Sequence, residues 1–172
     1  AEQSSDLNMT LSMGGLTALN VTMHEARGIC LEAFYERWRN TSLVMEKWLS
    51  LEASSPFSGT IQHIQKLMCD PVFDPDNPNK LRSVLGTFAM ANPVQFHKED
   101  GSGYQFIAEQ IAELDKRNPQ IAARLALVLT RFAHIEPCRR RLMRKSVASL
   151  SELQLSDNLQ EIVTKALAAT TV

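Results

Sequence analysis

The placement of proline constrains the fold of this chain more than any other feature. The sequence has seven prolines among 172 residues, and each lies at a gap between segments whose apolar residues have helical spacing. Three of them follow asparagine, at Asn77-Pro78, Asn92-Pro93 and Asn118-Pro119. Asparagine is a favoured N-cap, and proline fits the first helical turn, where its missing N–H removes no hydrogen bond. The sequence therefore predicts helix starts at residues 78 and 119, and a stop followed by a restart near residue 92.

The apolar residues between these positions recur at spacings of three and four, with charged residues on the opposite faces, as in amphipathic helices. Two of the predicted stripes are Ala26, Ile29, Ala33, Phe34 and Trp38, and then Leu43, Val44, Trp48 and Leu51. We find no segment with the period of two that a strand requires. Short links between helices favour antiparallel neighbours. The predicted fold class is all-α, with antiparallel helix pairs stacked as a HEAT- or armadillo-like superhelix, although no strict repeat is visible.

Composition excludes several classes of protein. A net charge of −1, with 44% hydrophobic and 22% charged residues, is that of an ordinary soluble globular domain and not of a dedicated nucleic-acid binder. No apolar run approaches the roughly 20 residues that cross a bilayer, so we expect no membrane span. The odd number of cysteines (Cys30, Cys69 and Cys138) and the lack of a C-x-x-C pair predict reduced, mostly buried thiols in a cytoplasmic protein. Gly28 and Gly86 lie inside helical patterns, and we expect close helix–helix contacts there.

A search for catalytic and metal-binding motifs finds none that is complete. The fragment His24-Glu25-Ala26-Arg27-Gly28 resembles the start of a zinc-peptidase helix, but the chemistry needs a second histidine at the position of Gly28. The remaining histidines are far apart in sequence and are interpreted as surface or cap residues: His63, His97 and His134. The glycine-containing segment before Tyr104 lacks a phosphate-binding pattern and predicts a turn, with Ser102 or Gly103 capping the next helix.

One dense basic cluster extends from Arg139 to Lys145, with Arg131 upstream. Such a run is usually a solvated helix face, although it also suits phosphates or an acidic partner. No aromatic residues are interleaved to stack on bases, so we do not expect nucleic-acid binding. From the residues alone, the chain is an all-α domain without a reaction centre.

Four segments, in order, closely resemble the C-terminal helical domain of the bacterial aminopeptidase N family, which are zinc enzymes of the gluzincin class. They are residues 40–48, 77–83, 96–104 and 118–125. The resemblance extends from about residue 8 to 169 and includes the ending at residues 161–167.

This resemblance implies a flexible segment at residues 1–7 and a single C-terminal helical-repeat domain at residues 8–172. It implies a superhelical cap that encloses the active-site cavity of an enzyme removing N-terminal amino acids from peptides. The zinc and the catalytic residues would lie in an upstream catalytic domain of the same polypeptide, so this chain alone would hold no cofactor and would not be an enzyme. Its expected partners are that catalytic domain and peptide substrates.

The family's cavity-facing positions are carried over only where the motifs match. They are Arg82 in Asn-Pro-Asn-Lys-Leu-Arg, and Gln120 and Arg124 in Asn-Pro-Gln-Ile-Ala-Ala-Arg. The resemblance implies that these three side chains border the substrate. The residues alone are equally consistent with ordinary polar surface positions near helix starts. An alternative from another class is a free-standing helical-repeat module that binds a peptide or an acidic partner through residues 139–145.

Overall fold

The computed structural model describes residues 8–22 and 25–169, except for the side chains of Ala133 and His134. Within these ranges the chain is helical and contains no strand, which confirms the all-α prediction. The helices are α1 (Met9–Leu19), α2 (Ala26–Trp38), α3 (Ser42–Ala53), α4 (Thr60–Leu67), α5 (Pro78–Leu81), α6 (Thr87–Ala91), α7 (Pro93–Phe96), α8 (Ser102–Asp115), α9 (Pro119–Leu129), α10 (Pro137–Ser151) and α11 (Asp157–Ala168). A π-helical turn (Arg82–Gly86) joins α5 to α6, and a 3₁₀ turn (Thr130–His134) follows α9.

The chain divides into two compact units between Asn92 and Pro93. The first unit contains α1 to α6 and the second contains α7 to α11. A single domain over residues 8–172 stays a prediction, and the segment at residues 1–7 lies outside the described residues.

The Asn-Pro dipeptides begin helices as predicted, through local hydrogen bonds. The Asn77 side-chain oxygen accepts from the backbone N–H of Asn79 at 2.9 Å, and that of Asn118 accepts from Ile121 N–H at 3.2 Å. Helix α7 begins at Pro93, which confirms the restart there. The buried Asn92 has a further role, because its side-chain amide donates to the carbonyls of Ala53 and Ser55 at 3.0 and 2.8 Å, at the C-terminal end of α3.

Helix α3 is the central helix of the first unit and contacts α1, α2, α4, α5, α6 and the π-helical turn. Its inward residues are fully buried, and the neighbouring helices contribute large apolar side chains to the same core. The principal members of this core are Leu16, Phe34, Met45, Leu49, Ile64, Leu85 and Phe88.

Three predicted apolar positions are wrong. Ile29 is 74% exposed and Leu43 is 71% exposed, and Ala33 is exposed as well. The buried face of α2 is set by Leu31 and Phe34, three residues apart, and Ile29 lies off that face. Apolar character alone did not identify which helix face is buried.

The predicted close helix–helix contacts at the two helical glycines are also wrong. A Cβ atom at Gly28 would meet nothing within 4 Å, and at Gly86 the nearest atoms would be those of Arg82 and Met90, which belong to the same helical segment. The cysteines differ from their prediction as well, since Cys69 and Cys138 are exposed and Cys30 is half-buried; all three are free thiols.

The second unit is built on α8, which packs against α9 and α10, while α11 packs against α9 and α10. Its core is Phe96, Tyr104, Ile107, Ile111, Leu129, Met143, Val147, Leu159 and Val163. The buried carboxylate of Asp115, at the end of α8, accepts from the N–H of Ser156 at 2.7 Å and from its hydroxyl at 2.5 Å. Ser156 is the N-cap residue of α11, so this carboxylate ties the end of one helix to the start of another.

Helix α8 begins at Ser102, two residues earlier than predicted, because the preceding turn is closed by Asp100. Its carboxylate accepts from the backbone N–H and the hydroxyl of Ser102 at 2.9 and 2.6 Å. The ammonium of Lys98, 2.8 Å away, and these two bonds from Ser102 lower the pKa of Asp100 to about 2. Gly101 adopts a left-handed conformation (φ 74°), which glycine tolerates without strain.

Candidate functional site

Arg82 lies in the first unit, at the start of the π-helical turn, and its side chain is exposed. Its guanidinium donates to the side-chain oxygen of Asn79 at 3.1 Å. A Cβ atom on Gly86 would lie 3.2 Å from Arg82 Cγ, so the bare glycine lets the arginine's aliphatic chain lie against the helix. The side chain is therefore held at two points, although it is exposed. Short π-helical turns occur often at functional sites.

Arg82 lines a groove of about 720 Å³ in the first unit. The walls are mostly apolar and include Met9, Leu43 and Met90, of which the last two are 71% and 64% exposed. Its charged lining residues are Arg82, Lys47 and Glu46. Neither Arg82 nor Lys47 forms an ion pair with any residue that the structure describes. The groove thus combines an apolar surface with two cations that have no acidic partner.

Gln120 and Arg124 lie in the second unit, on the exposed face of α9. They are four residues apart and so share one side of the helix, and the exposed Leu127 continues that side one turn later. The opposite face of α9 carries the buried Ala122, Leu125 and Leu129. Neither polar side chain has a hydrogen bond or ion pair within the described part of the chain. Their polar groups are available to an outside ligand.

Part of the basic cluster on α10 is used inside the second unit. The Nε of Arg139 donates to the carbonyl of His97 at 2.7 Å, and the Nε of Arg140 donates to the carbonyl of Ile135 at 3.2 Å. Arg144 and Lys145 are exposed. Two of the five cluster residues therefore stabilise the fold instead of presenting a continuous charged surface.

The histidines have specific partners that the sequence did not reveal. His63 Nε2 lies 2.7 Å from the carboxylate of the buried Glu52, which also lies 3.5 Å from the guanidinium of Arg27. That guanidinium donates to the side-chain oxygen of the buried Asn20 at 2.7 Å. These four residues form a polar network where α3 ends. Because its members lie up to 43 positions apart in sequence, from Asn20 to His63, no short motif could have identified it.

His97 belongs to an aromatic cluster in the second unit. Its Nδ1 lies 2.7 Å from the hydroxyl of the fully buried Tyr104, and both rings pack edge-on against Phe96. Burial, with a smaller effect from the Arg139 guanidinium, lowers the pKa of His97. The histidine is therefore kept neutral near pH 7.

No group of three or more potential metal ligands occurs among residues 8–22 and 25–169. His24, in the incomplete zinc motif, lies outside the described residues, and so does the side chain of His134. Over the same described ranges, no helix is both long and apolar enough to span a bilayer.

Comparison with known proteins agrees with the helical-repeat architecture. Residues 1–168 match the family described as "Domain of unknown function (DUF3458_C) ARM repeats". The chain belongs to the DUF3458_C family. The resemblance to the C-terminal helical domain of aminopeptidase N, and with it the helical-repeat fold, is confirmed.

Relatives of this DUF3458_C chain include complete aminopeptidases. It is 38% identical to aminopeptidase N of Escherichia coli over 162 residues, which are 94% of this chain and 19% of that protein. It is also 38% identical to aminopeptidase N of Haemophilus influenzae over 161 residues, 93% of this chain and 18% of that protein. The crystal structure of Legionella pneumophila aminopeptidase A in complex with aspartic acid superimposes with a TM-score of 0.92 at 31% identity, covering 98% of this chain and 20% of that one. The chain thus spans about a fifth of the length of these relatives.

Proposed function

We propose that this chain is the C-terminal cap of a zinc-dependent aminopeptidase in the cytoplasm, which removes N-terminal amino acids from peptides. The observation that carries the proposal is the match to aminopeptidases over nearly the whole chain, by sequence and by fold. In this proposal the zinc and the catalytic residues belong to another part of the same polypeptide. The cap encloses the active-site cavity and contributes Arg82, Gln120 and Arg124 to its wall.

The chemistry of these side chains suits the far end of a peptide. A peptide that enters with its amino end toward the zinc has its carboxylate behind it. A guanidinium binds a carboxylate through two parallel N–H···O bonds, and Arg124 has no partner in the described part of the chain to compete for them. Gln120, one turn earlier, offers neutral hydrogen bonds. Such remote contacts raise the rate only insofar as they orient the scissile bond.

The proposal is tested by Arg124→Ala in the full-length enzyme. We expect kcat/KM for short peptides with a free carboxylate to fall by the equivalent of about 1–3 kcal/mol, because a charge-assisted hydrogen bond is lost. Aminoacyl anilides, which have no carboxylate, should be hydrolysed nearly as fast as by the wild type. Steady-state kinetics on both substrate types provide the measurement.

Arg144→Ala is the matched control, since Arg144 is an exposed arginine on α10 outside the proposed substrate-facing set. This substitution should leave kcat/KM unchanged for both peptides and anilides. Equal losses on peptides and anilides in Arg124→Ala would mean that Arg124 is structural and does not border the substrate.

A further inference from the structure

We propose that the groove beside Arg82 binds the C-terminal residue of a short peptide, with Arg82 contacting its carboxylate and Leu43 and Met90 contacting an apolar side chain. This inference rests on the proposed function, because it takes the groove to open onto the substrate cavity. It adds a preference for the last residue of the substrate to an enzyme that cleaves at the first.

The charges in the groove favour an anionic ligand. Several exposed cations of this chain are ion-paired with near neighbours, as in Lys116–Glu113 and Lys98–Asp100. Arg82 and Lys47 have no such partner within the described ranges, and they share the groove with one carboxylate, that of Glu46. The groove therefore carries a net positive charge that a peptide carboxylate neutralises.

The arginine is oriented before any ligand arrives. One N–H of its guanidinium is used by the neutral side chain of Asn79, and a guanidinium has five N–H donors in all. Its aliphatic chain lies over Gly86, where an added Cβ atom would come within 3.2 Å of Arg82 Cγ. An arginine fixed in this way loses less conformational entropy on binding than a free one.

The apolar walls of the groove favour a ligand with an apolar side chain. The Met90 methyl would lie 3.7 Å from a Cβ on Gly86, so the Met90 side chain and the aliphatic chain of Arg82 lie on the same strip of helix surface. Leu43, on α3, contributes a second exposed apolar side chain to the same groove. A guanidinium beside two apolar side chains suits an amino acid with a carboxylate and an apolar side chain. Methionine adapts its shape to different side chains of that kind.

Four tripeptides test the inference in the full-length enzyme. They share their first two residues and end in leucine or glycine, each as the free acid or the amide. For Leu43→Ser and Met90→Ser we expect kcat/KM for the leucine-ending acid to fall about tenfold, mainly through KM, since an apolar contact is lost. Both glycine-ending peptides should be hydrolysed at nearly the wild-type rate. Arg82→Ala should instead lower kcat/KM for both free acids and leave kcat/KM for both amides nearly unchanged.

Ile29→Ser is the matched control, because Ile29 is an equally exposed apolar residue of the same unit outside the groove. It should leave all four substrates unchanged. Thermal unfolding of each variant verifies folding, and the use of two independent groove positions keeps the test valid should one variant unfold.

Two outcomes would overturn the inference. Equal effects of Leu43→Ser and Met90→Ser on all four tripeptides, or no effect on any, would exclude binding of an apolar C-terminal side chain. A change in self-association of either variant, measured by analytical ultracentrifugation, would assign the groove to a second copy of the chain. Either can occur while Arg124→Ala still discriminates acids from anilides, so failure here is distinguishable from failure of the proposed function.

Discussion

At Gly103 the backbone of the preceding segment leaves no room for a side chain. A Cβ atom there would lie 2.4 Å from the carbonyl oxygen of Phe96 and 2.6 Å from that of Gln95. Both contacts are with backbone, which cannot rotate away as a side chain can. We expect Gly103→Ala to lower the free energy of unfolding by about 1–3 kcal/mol, the usual cost of overpacking a tight site. Urea denaturation provides the measurement.

The same substitution at Gly28 is the control. No atom lies within 4 Å of its Cβ position, and the residue is inside α2. Gly28→Ala should therefore raise stability by about 0.5–1 kcal/mol, because alanine restricts the unfolded chain and favours helix. A similar loss in both variants would mean that close approach is not the reason for glycine at position 103.

His97 should make the stability of the second unit depend on pH. Its pKa lies below the ordinary value of 6.5, because burial and Arg139 disfavour the imidazolium. As pH falls below 6.5, the unfolded chain takes up the proton more readily than the folded chain, so stability is full above that pH and declines below it. We expect the melting temperature to be lower at about pH 5.5 than at about pH 7.5. His97→Gln should reduce this difference while retaining an acceptor for the Tyr104 hydroxyl; an unchanged difference would place the dependence elsewhere.

At the scale of helices, the contact between Asp115 and Ser156 determines how α8 meets α11. The buried carboxylate accepts two short hydrogen bonds from one N-cap residue. Asp115→Ala leaves the N–H and the hydroxyl of Ser156 without this acceptor, and we expect a loss of about 2–3 kcal/mol in the free energy of unfolding. Chemical denaturation of the purified chain measures it.

Glu113→Ala is the control for that loss, because Glu113 is an exposed carboxylate of the same helix whose ion pair is with Lys116. Its removal should change stability by no more than about 0.5 kcal/mol. Equal effects of the two substitutions would show that the charge of α8, and not the bond to α11, matters for stability.

The helix starts were predictable because their determinants are local. Asn77 and Asn118 cap helices through N–H groups two or three residues away, which a single sequence reveals. The partner of Asp115 is 41 residues away, and the two partners of Glu52 are 25 and 11 residues away, so these contacts follow only from the fold. Apolar spacing placed Ile29 and Leu43 on buried faces, because hydrophobicity does not distinguish a core residue from an exposed apolar one.

The candidate site also contains some residues that the sequence predicted and others that only the fold revealed. Arg82, Gln120 and Arg124 came from motifs that resemble a family, and no spacing rule would have selected them. The role of Leu43 and Met90 in the groove became visible only with their exposure in the fold. Whether an apolar side chain is exposed beside a cation depends on the fold, so the sequence alone does not reveal it.

For the whole molecule, we expect the 172-residue chain to retain no stoichiometric zinc and to release no amino acid from aminoacyl anilides. The described residues contain no group of three side chains that could hold a metal. Three protein ligands are the minimum for a catalytic zinc. Metal analysis after dialysis, with the full-length enzyme as the positive control, provides the measurement. One tightly held zinc per chain would contradict this expectation.

The side chain of Asn92 gives the first unit an order of assembly during translation. The carbonyls of Ala53 and Ser55 accept hydrogen bonds from the side-chain amide of Asn92, which is synthesised 39 and 37 residues after them. A ribosome that has released α3 therefore displays a helix whose last turn is still hydrated and prone to fray. We expect the time between the emergence of α3 and the emergence of Asn92 from the ribosome to set how long these carbonyls stay without their amide partner.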